Sequence, residues 1–232
     1  MEQIIALGGG EFSMGPNNLA LNRYILEQAG AAVPRVCFLP QASGEHPDYI
    51  IGFYQAFTAL PCQPSHLSLF RPHTADIEGY LLAQDVICVG GGNTKSLLAL
   101  WREWRLDDIL RRALRQGTVL AGVSAGANCW FEQCTTGSIP GALTVLSCLG
   151  WLKGSCSPHY DGEAERRPAF RRFVGSGEIA PGHAFDDNTA GHFIDGQRHK
   201  VVSSRPGAQA YFVERDGGEA LETPLETQVL PA

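Results

Sequence analysis

The chain alternates between short, continuously apolar runs and longer segments in which apolar residues recur at helical spacing. The apolar runs predict buried strands at residues 4–7, 35–40, 65–70, 85–92 and 118–123. Helices are predicted between them, at residues 16–30, 47–60, 74–83, 93–104 and 106–116. Strands that lack polar alternation and are joined by helices are typical of a parallel sheet covered on both faces. The pattern therefore predicts an α/β protein built as a three-layer, doubly wound, mostly parallel sheet.

The pattern changes after about residue 140, where proline, glycine and charged residues become frequent. Short strands are predicted at residues 192–195, 199–203 and 209–214, and the tail 215–232 is typical of polar turns with one edge strand. Because no linker, internal repeat or low-complexity tract separates the two parts, we predict one domain over residues 1–232.

Composition narrows the classes of protein to which the chain can belong. Apolar residues make up 44% of its 232 residues and charged residues 18%, which is ordinary for a globular protein. The net charge of −6 does not indicate the basic surface that binds nucleic acid. No segment approaches the roughly 20 consecutive apolar residues that a membrane-spanning helix needs. The first residues read as an apolar strand without the basic segment of a signal peptide. We expect a cytoplasmic protein that binds neither nucleic acid nor membranes.

The seven cysteines are odd in number and have no zinc-like spacing. Most of them lie in apolar runs, which predicts buried, reduced thiols. We therefore expect no metal ion and no disulfide framework.

Two glycine triplets follow predicted strands, at residues 8–10 and 90–92. Ligands of open α/β sheets bind at these strand ends, but neither triplet forms the glycine pattern of a dinucleotide site or of a P-loop. Glycine also lets main-chain N–H groups approach a reacting atom closely. The second triplet opens a helix near Asn93, so its amides suit an oxyanion. A plain strand-to-helix turn is the alternative.

Residues 122–126 read Gly-Val-Ser-Ala-Gly and fit the nucleophile-elbow pattern G-x-S-x-G. The pattern follows a predicted buried strand and precedes a helix-like segment, as the elbow requires. A sharp reversal needs small neighbours two positions from its apex, and it points the apex side chain into the cleft. We predict that Ser124 is a nucleophile and that the Ala125 amide faces the group it attacks. An incidental turn is the alternative.

A serine nucleophile needs a base and a carboxylate that orients the base. His159 ranks first because Pro158 fixes the backbone before it and polar residues follow, and His183 ranks second. Asp186 and Asp187 lie downstream of His159. The resulting order of serine, histidine and acid differs from the serine, acid, histidine order of α/β-hydrolases, which argues against that fold.

Four blocks in this order resemble the peptidase E family, which are serine peptidases of the aspartyl dipeptidase type related to cyanophycinases. The blocks are GGGNT at 90–94, GVSAGANCWFEQ at 122–133, SPHYDGE at 157–163 and DDNTA at 186–190. The resemblance implies a flavodoxin-like fold similar to that of class I glutamine amidotransferases. Those enzymes carry cysteine at the elbow, so the serine here disfavours glutaminase chemistry.

The resemblance also implies roles for individual residues. Ser124 matches the nucleophile, His159 the general base and Asp187 the orienting acid. The family carries glutamate at the acid position, so Asp187 is one methylene shorter, and Asp186 is the alternative acid. The oxyanion hole falls on the main-chain amides of Ala125 and of Gly91 or its neighbour, Gly92.

The resemblance implies hydrolysis of small peptides through an acyl-enzyme. This mechanism needs no metal or organic cofactor, and we expect a monomer or a homodimer. The aspartyl specificity of the family needs a cation, for which Arg166 and Arg167 are candidates, with Asn93 as a further substrate contact. An ordinary solvated helix face is the alternative for the arginines. Two other functions stay open: a non-catalytic ligand-binding or sensor protein, and an esterase or amidase of small metabolites.

Overall fold

The larger of two sheets is formed mainly by the first half of the chain. The structure, a computed structural model, describes residues 1–10, 12–15 and 18–231. Five parallel strands lie side by side in the order first, fifth, fourth, second, third. In chain order they are β1 (Gln3–Leu7), β2 (Arg35–Leu39), β3 (Gln63–His66), β4 (Val86–Val89) and β5 (Val119–Val123).

Helices cover both faces of this sheet, as its two-sided apolar strands require. In β1, Ile5 and Leu7 face one core while Ile4 and Ala6 face the other. The first core is closed by α1 (Ala20–Glu27) and α2 (Pro47–Phe57). The second is closed by α3 (Ile77–Leu82), α4 (Thr94–Trp104) and α5 (Leu106–Gln116). The predicted three-layer, doubly wound α/β fold is confirmed.

Three later strands extend the larger sheet beyond β1. They are β10 (Thr189–Ile194), β11 (Gln197–Ser203) and β14 (Thr227–Val229). β10 runs antiparallel to both of its neighbours, β1 and β11, whereas β14 runs parallel to β11 at the edge. β10 and β11 correspond to the short strands predicted at residues 192–195 and 199–203, whereas the one predicted at 209–214 lies in the second sheet.

A second, six-stranded sheet packs against the second core. Its strands are β6 (Phe131–Thr136), β7 (Thr144–Ser147), β8 (Leu152–Ser157), β9 (Gly182–Phe185), β12 (Ala210–Asp216) and β13 (Glu219–Leu225), in the order β13-β12-β9-β8-β6-β7. Phe131, Cys134 and Phe185 place its inner face in the core shared with α4 and α5. α7 (Arg166–Ser176) covers the outer face through Phe170 and Val174.

The second sheet is the main difference from the expected secondary structure. The helix-like segment after Ser124 ends early, because α6 comprises only Ala125–Asn128 and β6 starts three residues later. Trp130 and Phe131 are fully buried, and Phe131 pairs with Leu152 of β8. A short buried apolar run is compatible with either helix or strand, and pairing with distant strands decides between them.

Smaller differences concern the ends of elements. The strand predicted at 65–70 lies at Gln63–His66, and the helix predicted at 16–30 is observed over Ala20–Glu27. Residues 16 and 17 of that helix lie outside the described residues. Over the described ranges, no helix has both the length and the apolar character needed to cross a membrane.

Leu120 gives a test of the packing in the central strand. Its side chain is fully buried in the core shared by both sheets. We expect Leu120→Ala to lower the free energy of unfolding by about 2–5 kcal/mol, because the side chain loses its burial and leaves a cavity. Urea unfolding measures the change. Leu221→Ala, at a site 48% exposed on β13, is the control and should cost below about 0.5 kcal/mol. Equal losses in the two variants would contradict this packing.

Candidate active site

Ser124 lies at a sharp turn between β5 and α6, with φ 55° and ψ −110°. The turn brings backbone segments close together, and the flanking glycines make that approach feasible. A Cβ atom on Gly122 would clash with the carbonyl of Gly126, and one on Gly126 would clash with the carbonyl of Val89. The G-x-S-x-G pattern thus has a steric cause in this chain, and the strained backbone at Ser124 is typical of a functional position.

Ser124 and His159 line one cavity of about 300 Å³ at the carboxyl ends of the strands. Gly91 and Gly92 belong to the same lining. Ala125 is the first residue of α6, and the first amides of a helix have no acceptor within that helix. The lining of the cavity thus brings together Ser124, His159 and the glycine turn, whereas Ala125 is not among the residues that line it.

His159 and Asp187 form a hydrogen-bonded pair. Each follows a strand of the second sheet, β8 and β9, which run parallel and end at the same edge. Nδ1 of His159 lies 2.7 Å from Oδ1 of Asp187, and both side chains are about 85% buried, with exposed fractions of 15% and 14%. A carboxylate partner places the proton of the neutral imidazole on Nδ1, so Nε2 is left as the nitrogen that accepts a proton.

The Gly8–Gly10 triplet makes room for this pair. A Cβ atom on Gly9 would overlap Oδ1 of Asp187 and would lie 2.8 Å from Nδ1 of His159. The Gly8 carbonyl accepts a hydrogen bond from the His159 amide at 3.1 Å. The sequence predicts the triplet as a loop at the end of a strand, but its packing against the histidine and the acid depends on contacts across the fold.

Further residues that the sequence did not single out hold the Asp187 loop. The Asp187 amide donates to Oδ1 of Asp161 at 2.7 Å. Arg205 pairs with the same Asp161 side chain and donates to the Asp187 carbonyl at 3.2 Å. A Cβ atom on Gly162 would clash with Oδ2 of Asp187. Asp161 and Gly162 belong to the SPHYDGE block, whereas Arg205 has no sequence signal.

Asp186 does not contact His159. Its Oδ2 accepts a hydrogen bond from the Gln209 amide at 2.9 Å, and the residue is only 6% exposed. Burial raises the pKa of the Asp186 carboxyl to about 6. Of the two adjacent aspartates, the structure thus brings Asp187 to the imidazole and turns Asp186 toward β12.

His183, the second-ranked base, lies away from the Ser124 cavity in the middle of the second sheet. Its ring stacks on Phe185 and contacts Phe193 and Phe212. Nε2 accepts a hydrogen bond from Arg198 at 3.3 Å. Burial, with a smaller effect of Arg198, lowers the pKa of His183 to about 3. His183 ranks second in the sequence because two aspartates are close to it in the chain. In the structure these aspartates follow the end of β9, whereas His183 lies within the strand.

The Gly90–Gly92 turn lies directly against Ser124. A Cβ atom on Gly91 would be 3.3 Å from Cβ of Ser124. The Gly91 amide donates a hydrogen bond to the Tyr49 hydroxyl at 3.0 Å. Tyr49 could not be predicted from the sequence, because the residue reaches this turn only through the packing of α2 on the sheet. Gly92 has φ 135° and packs against the Ala42 carbonyl, which leaves no space for a side chain.

The three residues predicted to contact substrate have partners elsewhere. Asn93 caps α4 by accepting from the Ser96 amide at 2.9 Å, and it donates to the Ser138 carbonyl. Arg166 and Arg167 make ion pairs with Glu163 and Glu222, respectively. The structure does not bring Asn93, Arg166 or Arg167 into the lining of the Ser124 cavity.

Residues 4–201 match the family model of "Peptidase family S51". The chain belongs to peptidase family S51. It is 53% identical over 230 residues to "Uncharacterized peptidase YgaJ" of Bacillus subtilis (strain 168). The aligned region covers 99% of this chain and 100% of the relative. It is 30% identical over 139 residues to peptidase E of Haemophilus influenzae. That alignment covers 56% of this chain and 61% of the relative.

A solved structure has a similar fold. A peptidase from an acI-B1 Actinobacterium superimposes with a TM-score of 0.75 at 15% identity, over 98% of this chain and 95% of that one. The resemblance to peptidase E is thus confirmed, and the S51 protein is a serine-type peptidase. Among residues 1–10, 12–15 and 18–231 there is no cluster of three or more His, Cys, Asp or Glu side chains that could hold a metal ion.

Gly9→Ala tests the packing of the glycine triplet against the histidine–acid pair. We expect the added methyl group to displace Asp187 or His159, so that kcat for peptide hydrolysis falls at least about tenfold while the far-UV circular dichroism is retained. Gly137→Ala is the control, since its Cβ would meet only a side-chain carbon of Leu143 at an ordinary 3.6 Å. Full activity of Gly9→Ala would show that the pair does not depend on this close approach.

Proposed function

We propose that the protein hydrolyses small peptides through a Ser124–His159–Asp187 triad and an acyl-enzyme. The observation that carries the proposal is the 2.7 Å contact between His159 Nδ1 and Asp187 Oδ1, combined with the cavity that Ser124 and His159 share. Membership of a serine-peptidase family supports the same chemistry.

Each member of the triad has a defined role in this mechanism. Oγ of Ser124 attacks the peptide carbonyl carbon, and its proton passes to Nε2 of His159. Asp187 holds the Nδ1 proton and stabilises the imidazolium that forms. The histidine then protonates the leaving amine, which departs with the C-terminal part of the substrate. A water molecule, deprotonated by the same nitrogen, resolves the acyl-enzyme in the second half of the reaction.

The oxyanion of each tetrahedral intermediate is assigned to main-chain amides. Ala125 supplies one donor from the start of α6, and Gly91 or Gly92 supplies the other. The Gly91 N–H already donates to the Tyr49 hydroxyl, so the oxyanion must compete with that oxygen. A charged acceptor makes the stronger hydrogen bond, which favours the exchange as negative charge develops in the transition state.

The size of the cavity supports a small substrate. A volume of about 300 Å³ lies at the lower end of the range for ligand pockets, roughly 300–1,000 Å³. The name of the peptidase E relative supports a peptide rather than an ester or a metabolite amide. The acidic-residue preference that the resemblance implies is not supported by the contacts of Arg166 and Arg167.

A fluorophosphonate probe tests the nucleophile. We expect it to label the wild-type protein and to leave Ser124→Ala unlabelled, because only an activated serine attacks phosphorus at a useful rate. Labelling is read by intact-protein mass spectrometry. Ser13→Ala, in which another hydroxyl of the same cavity is removed, should still be labelled. An unlabelled wild type would indicate a non-catalytic binding protein, and turnover of acyl esters without dipeptides would indicate an esterase.

Substitution of each adjacent aspartate identifies the acid. Asp187→Asn should lower kcat by about 10²–10⁴, because the amide favours the wrong imidazole tautomer and cannot stabilise its charged form. Asp186→Asn should change kcat by less than about threefold, since this side chain meets Gln209 and not the imidazole. Steady-state kinetics on one dipeptide compares the two variants. The reverse ranking would assign the role to Asp186.

A further inference from the structure

Three cysteines lie close together on neighbouring strands of the second sheet. Cys134 in β6 is opposite Cys156 in β8, in the register of these parallel strands. Cys148 follows the end of β7, on the other side of β6. All three are free thiols. They do not form a metal site, since no group of three or more ligating side chains in the described part of the chain could hold an ion.

Cys134 and Cys148 are in direct contact through their sulfur atoms. The two Sγ atoms lie 3.5 Å apart, which leaves no room for another atom between them. A disulfide bond is about 2.0 Å long, so the sulfurs must approach by about 1.5 Å. Because Cys148 lies beyond the last residue of β7, rotation of its side chain and a small shift of the end of the strand can supply this movement.

The pair lies at the open end of a hairpin. β6 and β7 are antiparallel, with Gln133 opposite Ser147 and Thr136 opposite Thr144. The connecting segment 137–143 reaches the start of α4, where the Ser138 carbonyl accepts from Nδ2 of Asn93 at 2.8 Å. A bond between the two cysteines would therefore close a loop whose tip contacts the residue that follows the Gly90–Gly92 turn.

The two thiols differ in their access to solvent. Cys148 is partly exposed, whereas Cys134 and Cys156 are fully buried. Contact with Cys148, together with burial, raises the pKa of the Cys134 thiol well above its usual value. Cys134 therefore stays protonated and shielded, and an oxidant that arrives from solvent meets Cys148 first.

We propose that Cys148 and Cys134 are a redox-active pair, which a peroxide converts into a disulfide and a thiol reductant restores. Cys148 is the thiol that reacts with the oxidant, and Cys134 is the thiol that resolves the product. The disulfide fastens β7 to β6 and restrains the hairpin beside the start of α4. The inference does not depend on the proposed peptidase function.

The chemistry has two balanced steps. Sγ of Cys148 loses its proton and attacks one oxygen of hydrogen peroxide; the O–O bond breaks, giving a sulfenic acid and one water molecule. Sγ of Cys134 then attacks the sulfenic sulfur, and the S–O bond breaks as the hydroxyl group leaves with the Cys134 proton as a second water molecule. Two thiols are oxidised by two electrons in total, and the peroxide is reduced to water.

Mass spectrometry of the whole chain tests the bond. After treatment with hydrogen peroxide, we expect the mass of the wild-type protein to fall by about 2 Da, the mass of two hydrogen atoms, and to recover with dithiothreitol. Digestion without reductant should give one cross-linked peptide that contains Cys134 and Cys148. A bond between Cys134 and Cys156, or oxygen addition to Cys148 without a bond, would overturn the proposal.

Substitutions identify the two partners. Cys148→Ser and Cys134→Ala should not lose 2 Da, because each lacks one of the sulfurs. Cys62→Ser is the matched control, since Cys62 is also partly exposed but its Sγ contacts the Phe57 carbonyl at 3.2 Å. This variant should form the bond as the wild type does. Loss of 2 Da in a Cys148→Ser protein that retains its far-UV circular dichroism would show that another pair reacts.

Amide hydrogen exchange tests the effect on the hairpin. We expect exchange of the amides in residues 137–147 to slow at least about threefold in the oxidised wild type, because the bond limits opening of β7 from β6. Cys148→Ser, treated in the same way, should show unchanged exchange. If the disulfide forms and exchange in this segment stays the same, the bond does not restrain the hairpin and that part of the proposal is wrong.

Discussion

The close approach of the Gly8–Gly10 turn to two loops of the second sheet is the constraint on which the site depends. The turn ends β1 in the larger sheet, whereas His159 and Asp187 follow strands of the smaller one. Main-chain hydrogen bonds join them: the His159 amide donates to Gly8, and the Asn188 amide donates to Gly9 at 3.0 Å. Because Gly9 carries no side chain, these bonds coexist with the imidazole–carboxylate contact.

The same constraint explains why the nucleophile and its partners belong to different sheets. Ser124 follows β5, the neighbour of β1, and its amide donates to the Leu7 carbonyl at 3.1 Å. The end of β1 is therefore bonded to the serine turn on one side and to the histidine loop on the other. Phe131 and Phe185 bury the inner face of the smaller sheet in a core shared with the larger one. Packing in this core therefore helps to set the distance between the serine turn and the histidine loop.

Most of the larger sheet could be predicted from the sequence, since its strands are continuous apolar runs that end in glycine or proline. The serine turn could be predicted as well, because its steric requirements fall within five residues. The second sheet could not be predicted in this way. Its first strand, β6, follows α6 closely, and only its pairing with β7 and β8 shows that the segment is a strand and not a continuation of the helix. Local pattern carries no information about such distant pairing.

For the site, sequence reasoning named the serine, the histidine and the pair of aspartates, but contacts across the fold were needed to separate Asp187 from Asp186. The partner of Arg166, Glu163, is three residues away, in the turn that precedes α7. The partner of Arg167, Glu222, is 55 residues away, and the bond between Tyr49 and Gly91 spans 42. Such contacts become visible only once the chain is folded.

The left-handed backbone at Ser124 limits which nucleophiles evolution can place at this turn. A branched Cβ is strongly disfavoured at φ 55°, so threonine is a poor replacement even though it carries the same hydroxyl. Cysteine has the unbranched shape of serine and meets no such barrier. The backbone geometry at this one position therefore accommodates either a serine or a cysteine nucleophile. A single substitution converts the oxygen nucleophile into the sulfur nucleophile.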